Sequence, residues 1–219
     1  MCDQSRRRCD GGFDLIECAA VEAQLAGHFP KDVRDLYEIH EWKHASAILK
    51  HDFPAEWDDL LAMLRSFKLK ESWMKQRGGN RSELSIWVDS FLGKRGWVEK
   101  QFKTAVTVDD NKYESPTHKV DCYKNCVALE VEWNNKDPFF DRDLNNFRLL
   151  FDLRAISVGI VFTRCDELQD VANKLGRGKS YGNSTTHMSK ILPRIAGGGG
   201  AGCPVIVIGI GKKLFVEGE

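Results

Sequence analysis

Apolar positions change period several times along the chain, and the changes outline a fold. In "DFPAEWDDLLAMLRSF" Trp57, Leu60, Leu61 and Leu64 recur at helical spacing, behind Pro54 and acidic residues suited to a first turn. "GGNRSELSIWVDSFLGKRGW" predicts a loop, then a helix capped by Ser82 and ending near Gly93 to Gly96. "VDCYKNCVALEVEW", from Val120 to Trp133, alternates instead, which predicts a strand hairpin turning on Lys124-Asn125. Helical spacing returns in "FDRDLNNFRLLFDLRA" through Leu144, Phe147, Leu150 and Phe151. "ISVGIVFTR" predicts a buried strand and "DELQDVANKLG" a capped helix. A polar loop "RGKSYGNSTTH", the segment "MSKILPRI" and a flexible connector "AGGGGAG" then lead to a second buried strand, "CPVIVIGIG". Residues 1–35 predict an N-terminal extension with one short helical stretch, "LIECAAVEAQLAGHF", ahead of a single domain over 36–219. There is no internal repeat. The order of elements predicts an α/β domain: a mixed central β-sheet flanked by helices on both faces.

Composition narrows the classes. The 32 basic and 32 acidic residues cancel, so the total gives no sign of a nucleic-acid binder, although a neutral total can hide a basic cleft. No apolar run approaches the roughly 20 residues that span a bilayer. "MCDQSRRRCDGGFDL" lacks the apolar stretch of a secretory signal. The seven Cys are scattered with no C-x-x-C, which predicts free thiols in a reducing cytoplasm and no zinc site. "HEWKH" at His40 to His44 matches the H-E-x-x-H zinc motif, which needs a helix. Its surroundings, Tyr37, Ile39 and Trp42, predict a strand running into a helix, and no third ligand follows at a usual spacing. The zinc metalloprotease reading stays as a lesser alternative.

The hairpin poses the chemical question. A turn on Lys124-Asn125 sets Asp121 opposite Ala128 and diagonal to Glu130, with Asp121, Ala128, Glu130 and Glu132 on one face. Two readings follow. Either this is an edge strand whose Glu130 and Glu132 point at water, or the carboxylates converge on a hard divalent cation that relieves their repulsion. Mg²⁺ held by one or two carboxylates normally works on a phosphate.

The residues also carry a resemblance. Asp121, Glu130 and Glu132, spaced D-x8-E-V-E, resemble the PD-(D/E)xK nuclease core. "VALEVEWNNKDPFFDRDL" is similar to the active-site strand of type II restriction endonucleases related to BglII, BstYI and BamHI. "YEIHEWKHASAIL", Gly96-Trp97 and "PVIVIGIG" extend the likeness from about Tyr37 to Gly211. Val120 stands where the superfamily has Pro, and Glu132 where most members have Lys.

The resemblance implies Mg²⁺-dependent cleavage of both strands of a short palindrome, GATC-centred in this family, by a homodimer in the bacterial cytoplasm. A DNA methyltransferase would protect the host's own sites. Asp121 and Glu130, with the Val131 carbonyl, would hold the cation, while Glu132 would orient or deprotonate the attacking water. Glu99, taken as lying at the end of the preceding helix, is a further candidate acidic ligand. Asn134, Asn135 and Lys136 suit base readout, since Asn pairs with adenine and Lys donates to guanine. The loop from Gly178 to Thr186, with Ser180, Asn183, Ser184 and Thr185, resembles a second recognition loop. Lys179, Lys190 and Arg194 would hold phosphates. The helix beginning at Asp141 is a candidate dimer element or a core helix. A PD-(D/E)xK nuclease without a fixed palindrome is the alternative.

Overall fold

The computed structural model describes residues 28–76, 81–114 and 117–218. Nearly all of the helical stretch expected in residues 15–29 lies outside them. A short helix α1 (Lys31–Arg34) leads into β1 (Tyr37–Trp42), α2 (Ala45–Asp52) and α3 (Pro54–Ser66). The packed core already includes Phe29 and Val33. In α3 the expected stripe is buried, and Pro54 occupies a first-turn position where its missing N–H costs nothing. β2 (Leu69–Lys70), α4 (Glu71–Lys75) and α5 (Glu83–Gly93) follow, and the Ser82 hydroxyl caps α5 by accepting from the Ser85 amide.

β3 (Val98–Lys100) and a two-stranded ribbon, β4 (Ala105–Val108) and β5 (Asn111–Glu114), precede the hairpin of β6 (Val120–Lys124) and β7 (Val127–Glu132). The chain continues through α6 (Phe139–Asp152), β8 (Val158–Arg164), α7 (Leu168–Lys174), α8 (Met188–Ala196), β9 (Val205–Ile210) and β10 (Phe215–Val216). No side chain caps α7. The Asp166 carboxylate, at the start of that segment, accepts instead from the amide and hydroxyl of Ser189 at the start of α8.

Six strands form the central sheet in the order β1-β9-β8-β7-β6-β3. β7, β8 and β9 run parallel, and the outer pairings are antiparallel, so the sheet is mixed as expected. Leu129, Val131, Ile160, Phe162, Ile206 and Ile208 pack on one face, with residues of α2, α3, α5 and α7. Ala128, Val161, Val205 and Val207 pack on the other, with α6 and α8. Cover on both faces explains why β7, β8 and β9 are buried along their whole length.

"HEWKH" is not helical. His40 and Glu41 are successive residues of β1, facing opposite ways, and His44 is left-handed with φ 56°. The Glu41 carboxylate accepts from the Ser46 amide at 2.6 Å and so fastens the start of α2. Among the described residues, no helix is long and apolar enough to cross a membrane.

The hairpin turns one residue later than expected. Cys122 pairs with Leu129 and Lys124 with Val127, leaving Asn125-Cys126 as the turn. Both turn residues have positive φ, 42° and 64°, which a two-residue turn matching strand twist requires. Asn tolerates that conformation better than Lys, and the Asn125 amide is anchored by donating to Glu56 at 2.8 Å. The register therefore shifts by two residues. Continued by one step, it sets Asp121 opposite Glu130 rather than Ala128, and the shared face survives because side chains alternate with period two.

Candidate active site

Asp121 and Glu130 meet where the β6–β7 ladder opens. The Asp121 amide donates to Glu130 Oε2 at 3.2 Å, and the Val131 amide donates to Asp121 Oδ2 at 2.9 Å. Glu130 is 1% exposed and Glu132 2%, so the reading in which they point at water is overturned. Both lie on the sheet face covered by α6. That helix supplies a further acid, Asp143, wholly buried and adjacent to Glu132. Its neighbour Arg142 bridges them, with Nη2 2.8 Å from Asp143 Oδ1 and 3.2 Å from Glu132 Oε1. Glu130 Oε1 and Asp143 Oδ2 are buried without a partner.

Crowding shows in the proton affinities. Burial, then the charges of Asp143 and Asp121, hold the Glu130 carboxyl well above the usual carboxylate range. Burial and Asp143 push Glu132 up to about 9, outweighing the Asn135 amide and the Arg142 cation. Burial also raises Asp121, against the hydrogen bond from Val131. Asp121, Glu132, Arg142, Asn134 and Asn135 line an open cavity of about 340 Å³, large enough for a phosphodiester.

The sequence matches the family model of restriction endonucleases BglII/BglIII over residues 37–210. No curated protein matches it. The chain belongs to the BglII family of restriction endonucleases. It is a type II restriction endonuclease of the PD-(D/E)xK superfamily, a site-specific deoxyribonuclease that acts on double-stranded DNA. Enzymes of this kind generally use a divalent metal. Among the described residues of this endonuclease, no group of three or more His, Cys, Asp and Glu side chains stands ready as a metal cage. The donor set fits a less enclosed site: two carboxylates of hard oxygen, one with an unpartnered buried oxygen aimed among like charges.

The segments expected to read DNA lie beside this cavity. Asn134 and Asn135 are half-buried and Lys136 is exposed. Within the 178–186 loop of the endonuclease, Lys179, Asn183 and Ser184 are exposed, Ser180 is half-buried and Thr185 is buried. The two segments are stitched together. Thr186 N–H donates to Asn135 O at 2.9 Å and Asp137 N–H to Ser184 O at 3.0 Å, with a bridge between Lys136 and Thr185.

Other expected residues lie elsewhere. Glu99 is on strand β3 rather than a helix, half-exposed, and accepts from Lys119 at 2.9 Å. It borders a separate small pocket that also touches Asp121. Arg194 is spent inside the fold, donating to Asp141 at 2.9 Å and to the Lys190 carbonyl at 2.7 Å. In α6, Leu144, Phe147 and Leu150 are core residues. Sequence reasoning missed Asp143 and Arg142. The one signal was a charge inside the apolar face of α6: Asp143 sits between Phe140 and Phe147, where a solvent-facing acid is not expected.

Proposed function

We propose that this endonuclease cuts both strands of a short palindromic site by Mg²⁺-dependent hydrolysis, acting as a homodimer with one active site per strand. A GATC-centred site and a DNA methyltransferase of the same specificity complete the reading, with the pair at work in a bacterial cytoplasm. The observation that carries it is the cluster of half-buried Asp121 with buried Glu130 and Glu132, of which Asp121 and Glu132 line a phosphate-sized cavity.

Asp121 and Glu130, with the Val131 carbonyl, would hold Mg²⁺, which when bound supplies Lewis-acid stabilisation of the phosphate and acidifies water. Glu132 would orient the attacking water and, in its ionised form, take its proton, with Asn135 and Arg142 fixing its two oxygens. Arg142 carries positive charge to the cavity wall, where the phosphate would enter. Asn134, Asn135, Lys136, Ser180, Asn183 and Ser184 would read bases, and Lys179 would hold the backbone. Thr185 faces inward and would act by supporting the loop.

The test is a digest of unmethylated phage DNA with Mg²⁺, beside a chelator control and Glu130→Ala, with fragment ends sequenced. Discrete fragments sharing one palindromic end sequence, absent in both controls, are expected. A chelator-sensitive smear would replace this reading with a nuclease lacking a fixed palindrome. Cleavage that persists in Glu130→Ala would remove the active-site assignment.

A further inference from the structure

Arg164 is the last residue of β8 and is 1% exposed. Among the described residues no carboxylate lies within ion-pair distance of its guanidinium. Its acceptors come instead from the second recognition loop. Nη2 donates to Tyr181 O at 2.8 Å and Thr185 Oγ1 at 3.0 Å, and lies 3.5 Å from His187 Nδ1. A buried cation without a counter-ion is costly unless neutral oxygens replace its lost water. Here the loop provides that solvation at Nη2, while Nε stays buried without a partner and the Asp166 carboxylate acts only from beyond ion-pair distance. Lifting the loop would therefore strand the charge.

The other side of the loop is bonded to the end of the catalytic strand. Asn135 N–H donates to Thr186 Oγ1 at 3.2 Å, in addition to the backbone bonds already described, and the Tyr181 ring meets Trp133 edge-on at 5.8 Å. Next to Arg164, the Thr163 hydroxyl donates to the Glu132 carbonyl at 2.8 Å. The last two residues of β8 thus hold both the strand that bears Glu130 and Glu132 and the loop that bears Asn183 and Ser184.

We propose that Arg164 is a positioning residue for sequence discrimination: by seating residues 181–187 against residues 134–137, it makes two base-reading segments present one surface, rigidly joined to the catalytic strand. The proposal rests on the DNA-reading role given to those segments. Being buried, Arg164 acts only through the loop.

Two measurements test it on the full-length protein, in the wild type, Arg164→Met and Arg164→Lys. The first sequences the ends produced from unmethylated phage DNA with Mg²⁺. The second follows backbone amide exchange without DNA. Arg164→Met should cut at sequences differing by one base pair, with discrimination falling about tenfold or more, the scale of one lost base contact. Exchange should rise in 181–187 and 134–137 but not in β8 or β9. Arg164→Lys, which keeps a charged donor, should recover part of both. An unchanged end sequence with unchanged exchange would overturn the proposal. So would uniform loosening of the domain with specificity intact. If Arg164→Met does not fold, the Lys variant is judged by the same two readouts. If the wild type yields no discrete ends, the DNA-reading assignment falls, while exchange still decides whether Arg164 fastens the loop.

Discussion

Asn135 Nδ2 stands 2.9 Å from Glu132 Oε2, so a residue suited to meet a base edge also restrains the carboxylate at the end of the catalytic strand. Its backbone is bonded to Thr186 as well, which makes Asn135 the link between loop and chemistry. Asn135→Ala should therefore lower kcat at saturating DNA by about tenfold or more, besides weakening binding by the ~1–3 kcal/mol of a bidentate base contact. Single-turnover cleavage measured beside equilibrium binding separates the two. A loss confined to binding would mean that Glu132 does not depend on Asn135.

The carboxylate cluster sets a pH dependence of stability in the metal-free protein. Glu132 keeps its proton to about 9 when folded and releases it near 4.5 when unfolded. The folded state thus binds more protons between those values, so the stability this group contributes is full below about 4.5 and is lost as pH rises towards 9. Glu130 and Asp121, both raised, act with the same sign. Asp166 and Asp170 are depressed and act only in the acid range. His118 and His187, lowered chiefly by burial, act with the opposite sign below about 6.5, so with chelator present Tm should fall from pH 7 to pH 8.5. Glu132→Gln should flatten that slope and raise Tm at pH 8.5 by about 5 °C. Asp143→Asn should give much of the same flattening, and the double variant less than the sum. A wild-type Tm that does not fall over this range would mean that the cluster is not a buried, crowded one.

Divalent cation should reverse the same destabilisation, because it binds the folded state alone. At a concentration of about 100 times Kd the gain is ~2.7 kcal/mol, or about 5–10 °C for a chain of this size. Glu130→Gln should keep the fold and lose the shift. A thermal melt with and without Mg²⁺ at pH 8 decides it, and a full shift in the variant would place the cation away from Glu130.

Much of this was legible in the sequence because the core elements have strong periods. The stripe of α3, the Ser82 cap and the runs that became β8 and β9 are signals of burial, and burial is what formed them. The shared face of Asp121, Glu130 and Glu132 was legible too, and survived an error in the turn because the register moved by an even number. The ribbon β4–β5 was not: Val108 and Tyr113 stand exposed, so these apolar residues are not held to a core-facing period. Asp143 was hidden for the opposite reason. On the sequence it is one charge among several in "FDRDLNNF", and only the close approach of α6 to β7 brings it to Glu132.

That close approach depends on Gly159. On β8, next to β7, a Cβ at this position would lie 2.5 Å from the Phe147 ring of α6, well inside contact distance. Phe147 is itself fully buried. Gly159→Ala must then displace α6 or the strand, with an overpacking cost of about 1–3 kcal/mol. A Tm fall of roughly 2–12 °C is expected for a chain of this length. Phe147 follows Asp143 by one helical turn, so the same displacement should draw Asp143 and Arg142 away from Glu132 and reduce cleavage. Adding Phe147→Leu should restore part of both stability and cleavage, since a smaller side chain leaves room for the new methyl group. Melting curves and cleavage rates of the single and double variants check this. A neutral Gly159→Ala would mean that α6 is not pressed onto the sheet by this contact, and that Asp143 reaches the cluster by some other constraint.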